Sequence, residues 1–256
     1  PKHDESERAT VKKKGRVYVD ISSVRRTETT KPTTKPHWCL AVREATGMKS
    51  SSFHAAKDHM VEPMCEKIDQ WNKLGLAVTH LRMDNAGENK SLEQRLASKD
   101  WRIQLDVEYT AARTPQQNSL VEVSFATLLG RSKAMMSAAN VPAEVKRIIY
   151  REAIATATKL DGLMQVELNG VTKSRYEHEF GKNPPFVDHL RTWGEAGTVK
   201  IKTATRPKDA NPGEHCMMVG YADNHPGDTY RMWNPDTKQL YQVRDVVWLK
   251  RMFYAP

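Results

Sequence analysis

Cysteine is scarce in this chain. Three occur in 256 residues, Cys39, Cys65 and Cys216, an odd number with no C-x-x-C pair among them. A disulfide-stapled domain is therefore excluded, and so is a cysteine-based structural zinc site; no zinc is expected in this chain. Aromatic residues make up only 7% and hydrophobic residues 39%, enough for a core but on the low side, and the mean hydropathy is −0.68. No apolar run approaches the ~20 residues that cross a bilayer, and no secretory leader is visible. These absences predict a protein of the reducing cell interior with no membrane partner. The chain begins at Pro1, which reads as a piece cut from something longer.

Positive charge is plentiful. Lys and Arg number 40 against 31 Asp and Glu, a formal net charge of +9 and a pI near 9.4. An excess of this sign concentrates polyanions at the surface and favours nucleic acid as a partner. The charge clusters at Lys2, Arg8, Lys12, Lys13, Lys14 and Arg16, at Arg25, Arg26, Lys31 and Lys35, and at Lys200, Lys202, Arg206 and Lys208. Such loop-like basic positions suit phosphate contacts that carry no sequence information.

Residues 1–15 are polar and lysine-rich, without hydrophobic period, and are expected to form a disordered arm. Alternation and β-branching predict strands at 16–24, 37–44 and 49–55, with a Thr- and Pro-rich loop at 25–36. Met60, Met64, Ile68 and Trp71 recur on one helical face within 59–74, and Gly75 ends that helix. Further elements are expected as a strand at 78–83, a helix at 92–101, a strand at 103–109, and helices at 116–140 and 142–160. This order suits an α/β, RNase H-like mixed sheet with helices on both faces, spanning 16–165. After 187 the texture changes to short strands at 189–193, 197–202, 215–222, 229–233, 239–243 and 246–249, separated by turn residues, which predicts a small β-barrel over 187–256. Residues 166–186 read as a linker.

Three carboxylates stand out. Asp20 follows Val17-Tyr18-Val19, and alternation sets it on the face of Tyr18, away from the valines. Asp84 closes a short apolar strand and opens Asp84-Asn85-Ala86-Gly87-Glu88; it is either a plain turn residue or a ligand at a strand end. Glu88 is its nearest competitor. Glu122 follows Thr114-Pro115-Gln116-Gln117-Asn118 near a helix start, where any acid gains from the helix dipole. Three acids on two strands and a helix can hold two divalent metals for phosphoryl transfer, and hard oxygen donors suit Mg2+, with Mn2+ able to substitute. Gln117 and Asn118 are placed either to contact DNA or to cap the helix.

The Asp84-Asn85-x-Gly87-Glu88 and Thr114-Pro115-Gln116-Gln117-Asn118 motifs resemble the second and third motifs of the integrases of copia-type LTR retrotransposons, within the retroviral integrase superfamily. Arg191-Thr192-Trp193-Gly194, Met218-Val219-Gly220-Tyr221, Tyr230 to Pro235 and Val243 to Trp248 resemble that family's later strands, so the likeness runs over about 16–254. It implies an SH3-like barrel at 187–256 and catalytic, metal-binding roles for Asp20, Asp84 and Glu122. It also implies 3′ processing and strand transfer on double-stranded DNA, a homodimer or homotetramer, and a nuclear site of action after a cytoplasmic particle stage. The family's basic residues after the catalytic Glu are replaced here by Val123-Ser124-Phe125. Lys133, eleven positions beyond Glu122, returns near its face at 100° per residue, whereas Arg131 lies opposite; Lys133 is the expected substitute. With Gln117, Asn118, Lys200 and Lys202 it makes up the expected DNA-contacting set. Two other readings stay open: a remnant that binds nucleic acid without cutting, and an RNase H-type nuclease, for which no fourth carboxylate is evident.

Overall fold

The computed structural model describes residues 14–24, 35–110, 119–200 and 213–255. The Lys2–Lys13 part of the basic arm, Gln117, Asn118 and Lys202 lie outside the described residues. The chain divides into two compact units, one of residues up to Phe125 together with Gln165–Arg175, the other of Ala126–Met164 and Tyr176 onward.

The first unit is built on β1 (Arg16–Ser23), β2 (His37–Arg43), β3 (Lys49–His54), β4 (His80–Met83) and β5 (Asp106–Tyr109), in the order β3-β2-β1-β4-β5. β1, β2 and β3 form an antiparallel meander, and β4 and β5 continue parallel to β1. This is the RNase H-like mixed sheet. As the central strand, β1 is buried on both faces. Val17, Val19 and Ile21 pack with Cys39, Ala41, Leu81 and Met83 against α1 (Val61–Lys73) and α2 (Gly87–Ala97). Met60, Met64, Ile68 and Trp71 are all buried there, as their spacing predicts. The opposite face carries Tyr18, Asp20 and, across the β1–β2 pairing, Leu40 and Trp38. It is met by the start of α3 (Ser119–Ala138), where Phe125 sets its ring edge-on to Trp38 at 4.7 Å. Helices thus cover both faces.

The second unit holds the rest of α3, α4 (Ala143–Asp161), and a five-stranded antiparallel sheet in the order β11-β10-β9-β8-β12. Its strands are β8 (Glu195–Lys200), β9 (Gly213–Tyr221), β10 (Tyr230–Asn234), β11 (Gln239–Val243) and β12 (Val246–Met252). α4 lies on β9: the Thr156 hydroxyl donates to the Val219 carbonyl at 2.7 Å and Lys159 Nζ to that of Tyr221 at 2.7 Å. A Cβ on Gly220 would sit 2.6 Å from Thr156 Oγ1, so only glycine admits this approach.

Several elements differ from those the sequence predicts. The compact units part inside α3, whereas the sequence divides at 165 and 187; the apolar face of α4, including Ile149 and Ala153, joins the same core as Met217, Met218 and Trp233. Residues 166–186 are not a bare linker. They form a hairpin of β6 (Gln165–Leu168) and β7 (Val171–Ser174), followed by α5 (Arg175–Phe180). Residues 189–193 are not a strand: they pass from a 3-10 turn into β8, with Trp193 Nε1–H donating to the Val219 carbonyl at 3.0 Å. α2 begins at Gly87, five residues before the helix expected at Leu92.

Candidate functional site

Asp20 sits on β1 with its Oδ1 accepting from the Ile21 N–H at 2.7 Å. In the parallel β1–β4 register Tyr18 lies beside Arg82, an offset of 64 (82 − 18). The same offset sets Asp20 level with Asp84 (84 − 20), one residue past the end of β4. Parallel pairing of β1 with β4 therefore sets Asp84, just past the end of β4, level with Asp20, which lies within the longer β1. Sequence alternation supplied the face, and the register supplies the level.

Asp84 is exposed, and its Oδ1 accepts from the Ala86 N–H at 3.2 Å and from Asn89 Nδ2 at 2.5 Å. Asn89 is only 1% exposed and also donates to the Asp84 carbonyl at 3.2 Å. The turn is thus an Asx turn whose carboxylate is fixed by a buried amide in the first turns of α2. Asn89 was not singled out in the sequence; a polar residue there reads as a solvated helix position until the strand end folds over it. Glu88 is drawn to Lys57, whose Nζ lies 3.2 Å from its Oε1.

Glu122 is exposed in the first turn of α3. Three residues on, and so on the neighbouring helical position, Phe125 is seated against Trp38. Trp38 shares its face with Asp20 through the Ser22↔Trp38 and Asp20↔Leu40 pairs. That aromatic contact anchors the helix start over the face that carries Asp20.

Asp20 senses the other two acids. Burial is the largest influence on Asp20 and pushes its carboxyl up to about 6; the Ile21 N–H opposes this, while the charges of Asp84 and Glu122 raise it further and that of Lys57 lowers it. Among the described residues, however, no three His, Cys, Asp or Glu side chains are arranged to hold a metal ion. The donors of Asp20, Asp84 and Glu122 are all hard carboxylate oxygens, the set that Mg2+ and Mn2+ take. Cys39, next to Asp20 across the sheet register, is no nucleophile: burial, and then the Asp20 charge, push its thiol up to about 12.

Of the remaining expected residues, Lys133 is exposed on α3 and Lys200 is exposed at the end of β8. Arg131 is drawn into an ion pair with Asp161 of α4, which is only 2% exposed.

An RNase H-like sheet that carries Asp20 on β1 and Asp84 just past β4, with Glu122 at a helix start, is followed in the chain by an SH3-like sheet. The comparisons with known proteins carry this to a narrower group. The family of the retroviral polymerase SH3-like domain matches residues 196–255. The Retrovirus-related Pol polyprotein from transposon TNT 1-94 of Nicotiana tabacum is 26% identical over 175 residues, which is 68% of this chain and 12% of that polyprotein. The chain therefore spans only a small part of that relative. Among solved structures, a chain of the simian T-cell lymphotropic virus intasome, in complex with a PP2A regulatory subunit, is 11% identical. It covers 92% of this chain and 75% of its own length at a TM-score of 0.45. The catalytic core domain of BIV integrase is 13% identical, over 66% of this chain and 95% of that one, at a TM-score of 0.46. The chain is a relative of the copia-type retrotransposon integrases, as its motifs indicate.

Proposed function

We propose that the chain is a DNA polynucleotidyl transferase, cutting and joining DNA ends through Asp20, Asp84 and Glu122. The observation that carries this reading is the parallel β1–β4 register that sets Asp20 level with Asp84 at the end of β4, with the charges of Asp84 and Glu122 both acting on Asp20. Burial on a central strand makes Asp20 the acid whose ionisation most needs a cation nearby. Asp20, Asp84 and Glu122 would hold divalent metal, Mg2+ in the cell or Mn2+ in its place. Such a metal, when bound, supplies charge stabilisation to the attacking and leaving oxygens of an in-line phosphoryl transfer.

The chain's own residues do the positioning. Asn89 fixes the Asp84 carboxylate toward the strand end, and Phe125 on Trp38 fixes the approach of Glu122. Hydrolysis at the DNA end and attack of the freed 3′ hydroxyl on a target phosphodiester would use this one site in turn. Lys133, Lys200, Gln117, Asn118 and Lys202 are proposed as phosphate contacts, and a two-ended reaction calls for at least a dimer acting in the nucleus.

The alternative is a chain that binds DNA but does not cut it. It draws support from Val123, 64% exposed beside Glu122, where a basic side chain would serve an anionic substrate better. A strand-transfer assay with labelled element-end duplexes separates the two. Mg2+-dependent joined products are expected. Duplex binding without product at any Mg2+ or Mn2+ concentration contradicts the transferase reading and favours the alternative.

A further inference from the structure

Among the described residues, the cation Lys57 stands close to Glu88 and acts on Asp20. Lys57 lies between β3 and the 3-10 turn Asp58–Met60, and its Nζ is 3.2 Å from Glu88 Oε1. Its side chain is 47% exposed, against 14% for Glu88, so the pair has a half-buried acidic end and an open basic end. Its charge acts on Asp20 in the sense opposite to those of Asp84 and Glu122. Glu88 lies one residue into α2, in the turn that follows Asp84. Lys57 is therefore close to Glu88 and acts on Asp20, although 31 residues (88 − 57) and 37 residues (57 − 20) separate it from them in the sequence.

A phosphodiester brought to such a neighbourhood is repelled unless fixed positive charge meets it. An ammonium has three donors. One directed at Glu88 leaves two for another acceptor, and the open side of Lys57 faces solvent. The neighbour of Glu122 in the sequence, Val123, is exposed and offers no charge to an anion.

Resting on the transferase reading above, we infer that Lys57 is a DNA-phosphate contact of this site and that Glu88 is the residue that positions its ammonium. Glu88 thereby has a role distinct from metal ligation: it holds the cation in place between substrate and acids. The Lys57 contact is to backbone phosphate, so it adds affinity without reading sequence.

The test compares wild type with Lys57→Gln, Lys57→Arg and Glu88→Gln. Affinity for a short fluorescent duplex is measured across a salt series by anisotropy, with Mn2+ binding followed in parallel by calorimetry. Lys57→Gln should weaken duplex binding severalfold at low salt and reduce the slope of log affinity against log salt by about one. Lys57→Arg should restore both, and Mn2+ affinity should not fall in either variant. Glu88→Gln should weaken duplex binding while keeping the wild-type slope, since the charge remains but is no longer held. Wild-type duplex affinity and slope in Lys57→Gln would overturn the inference. So would tighter Mn2+ binding with unchanged duplex binding, which would make the ammonium a stand-in for metal. If Lys57→Gln melts far below wild type, the Lys57→Arg and Glu88→Gln series decides alone. Strand transfer by wild type is scored separately: its absence counts against the transferase reading, while the salt slope still decides Lys57.

Discussion

Asp20 is held in its raised state mainly by burial, and this has a pH signature. Its carboxyl stands at about 6 in the fold against 3.8 ordinarily. A carboxyl raised on folding contributes its stability fully below its unfolded value and loses it as pH climbs through its folded value. The metal-free protein should therefore lose stability between about pH 4 and pH 7, by an amount on the order of 2 kcal/mol from this group. Asp20→Asn should flatten that part of the profile, and Mg2+ added above pH 6 should restore stability to wild type alone. Denaturant melts at several pH values check this; the same fall in the Asn variant would assign it to other groups. At this scale the sequence was informative about Asp20, because alternation separates its face from Val17 and Val19. It was silent about Asn89 and Lys57, whose significance comes from contacts made across 5 residues of folded turn (89 − 84) and across separate elements.

α3 carries two kinds of work along its length. At its start Phe125 packs on Trp38, and further on Arg131 pairs with the nearly buried Asp161. Phe125→Ala should cost about 1–3 kcal/mol, less than for a fully buried ring because Phe125 keeps part of its surface in water, and should lower strand transfer more than duplex binding. Equal loss of both would deny it a positioning role. Arg131→Ala should destabilise by about 1–3 kcal/mol, the exposed guanidinium end reducing the effect, whereas Lys133→Ala should leave the melting midpoint near wild type and weaken duplex binding instead. Helical phase alone distinguishes these two basic residues in the sequence, but the partner of Arg131 lies on another helix and could not be read there. The hairpin of β6 and β7 is a different kind of omission. Asn169 and Gly170 both have positive φ, 53° and 76°, the pairing that closes a two-residue hairpin, and Asn-Gly between Val166-Glu167-Leu168 and Val171-Thr172 signals it locally. Polar composition across 166–186 masked that signal.

The strands of the first unit and the succession of strands in the second were legible in hydrophobic period and turn residues, since each strand of β1, β2, β3, β9 and β10 carries its own pattern, whereas the sheet order comes from the structure. The unit boundary was not, because the apolar face of α4 does not declare whether it will lie on the mixed sheet or on β9. Charge belongs to the whole molecule. With a net +9, duplex binding should weaken linearly in log–log plots against salt, and removing residues 1–15 should make that slope shallower. A slope unmoved by the deletion would make the arm's charge a solubility feature.

The central claim is that Asp84 and its two partner acids perform phosphoryl transfer in a chain whose fold does not depend on their charge. It is tested most directly by Asp84→Asn, which keeps size and shape while removing the charge. Strand transfer with Mg2+ and labelled element-end duplexes is measured beside circular dichroism and a melting curve. The account predicts no joined product from the variant, Mg2+-dependent product from wild type, and closely similar spectra and melting for both. Joined product from Asp84→Asn at the wild-type rate would contradict it.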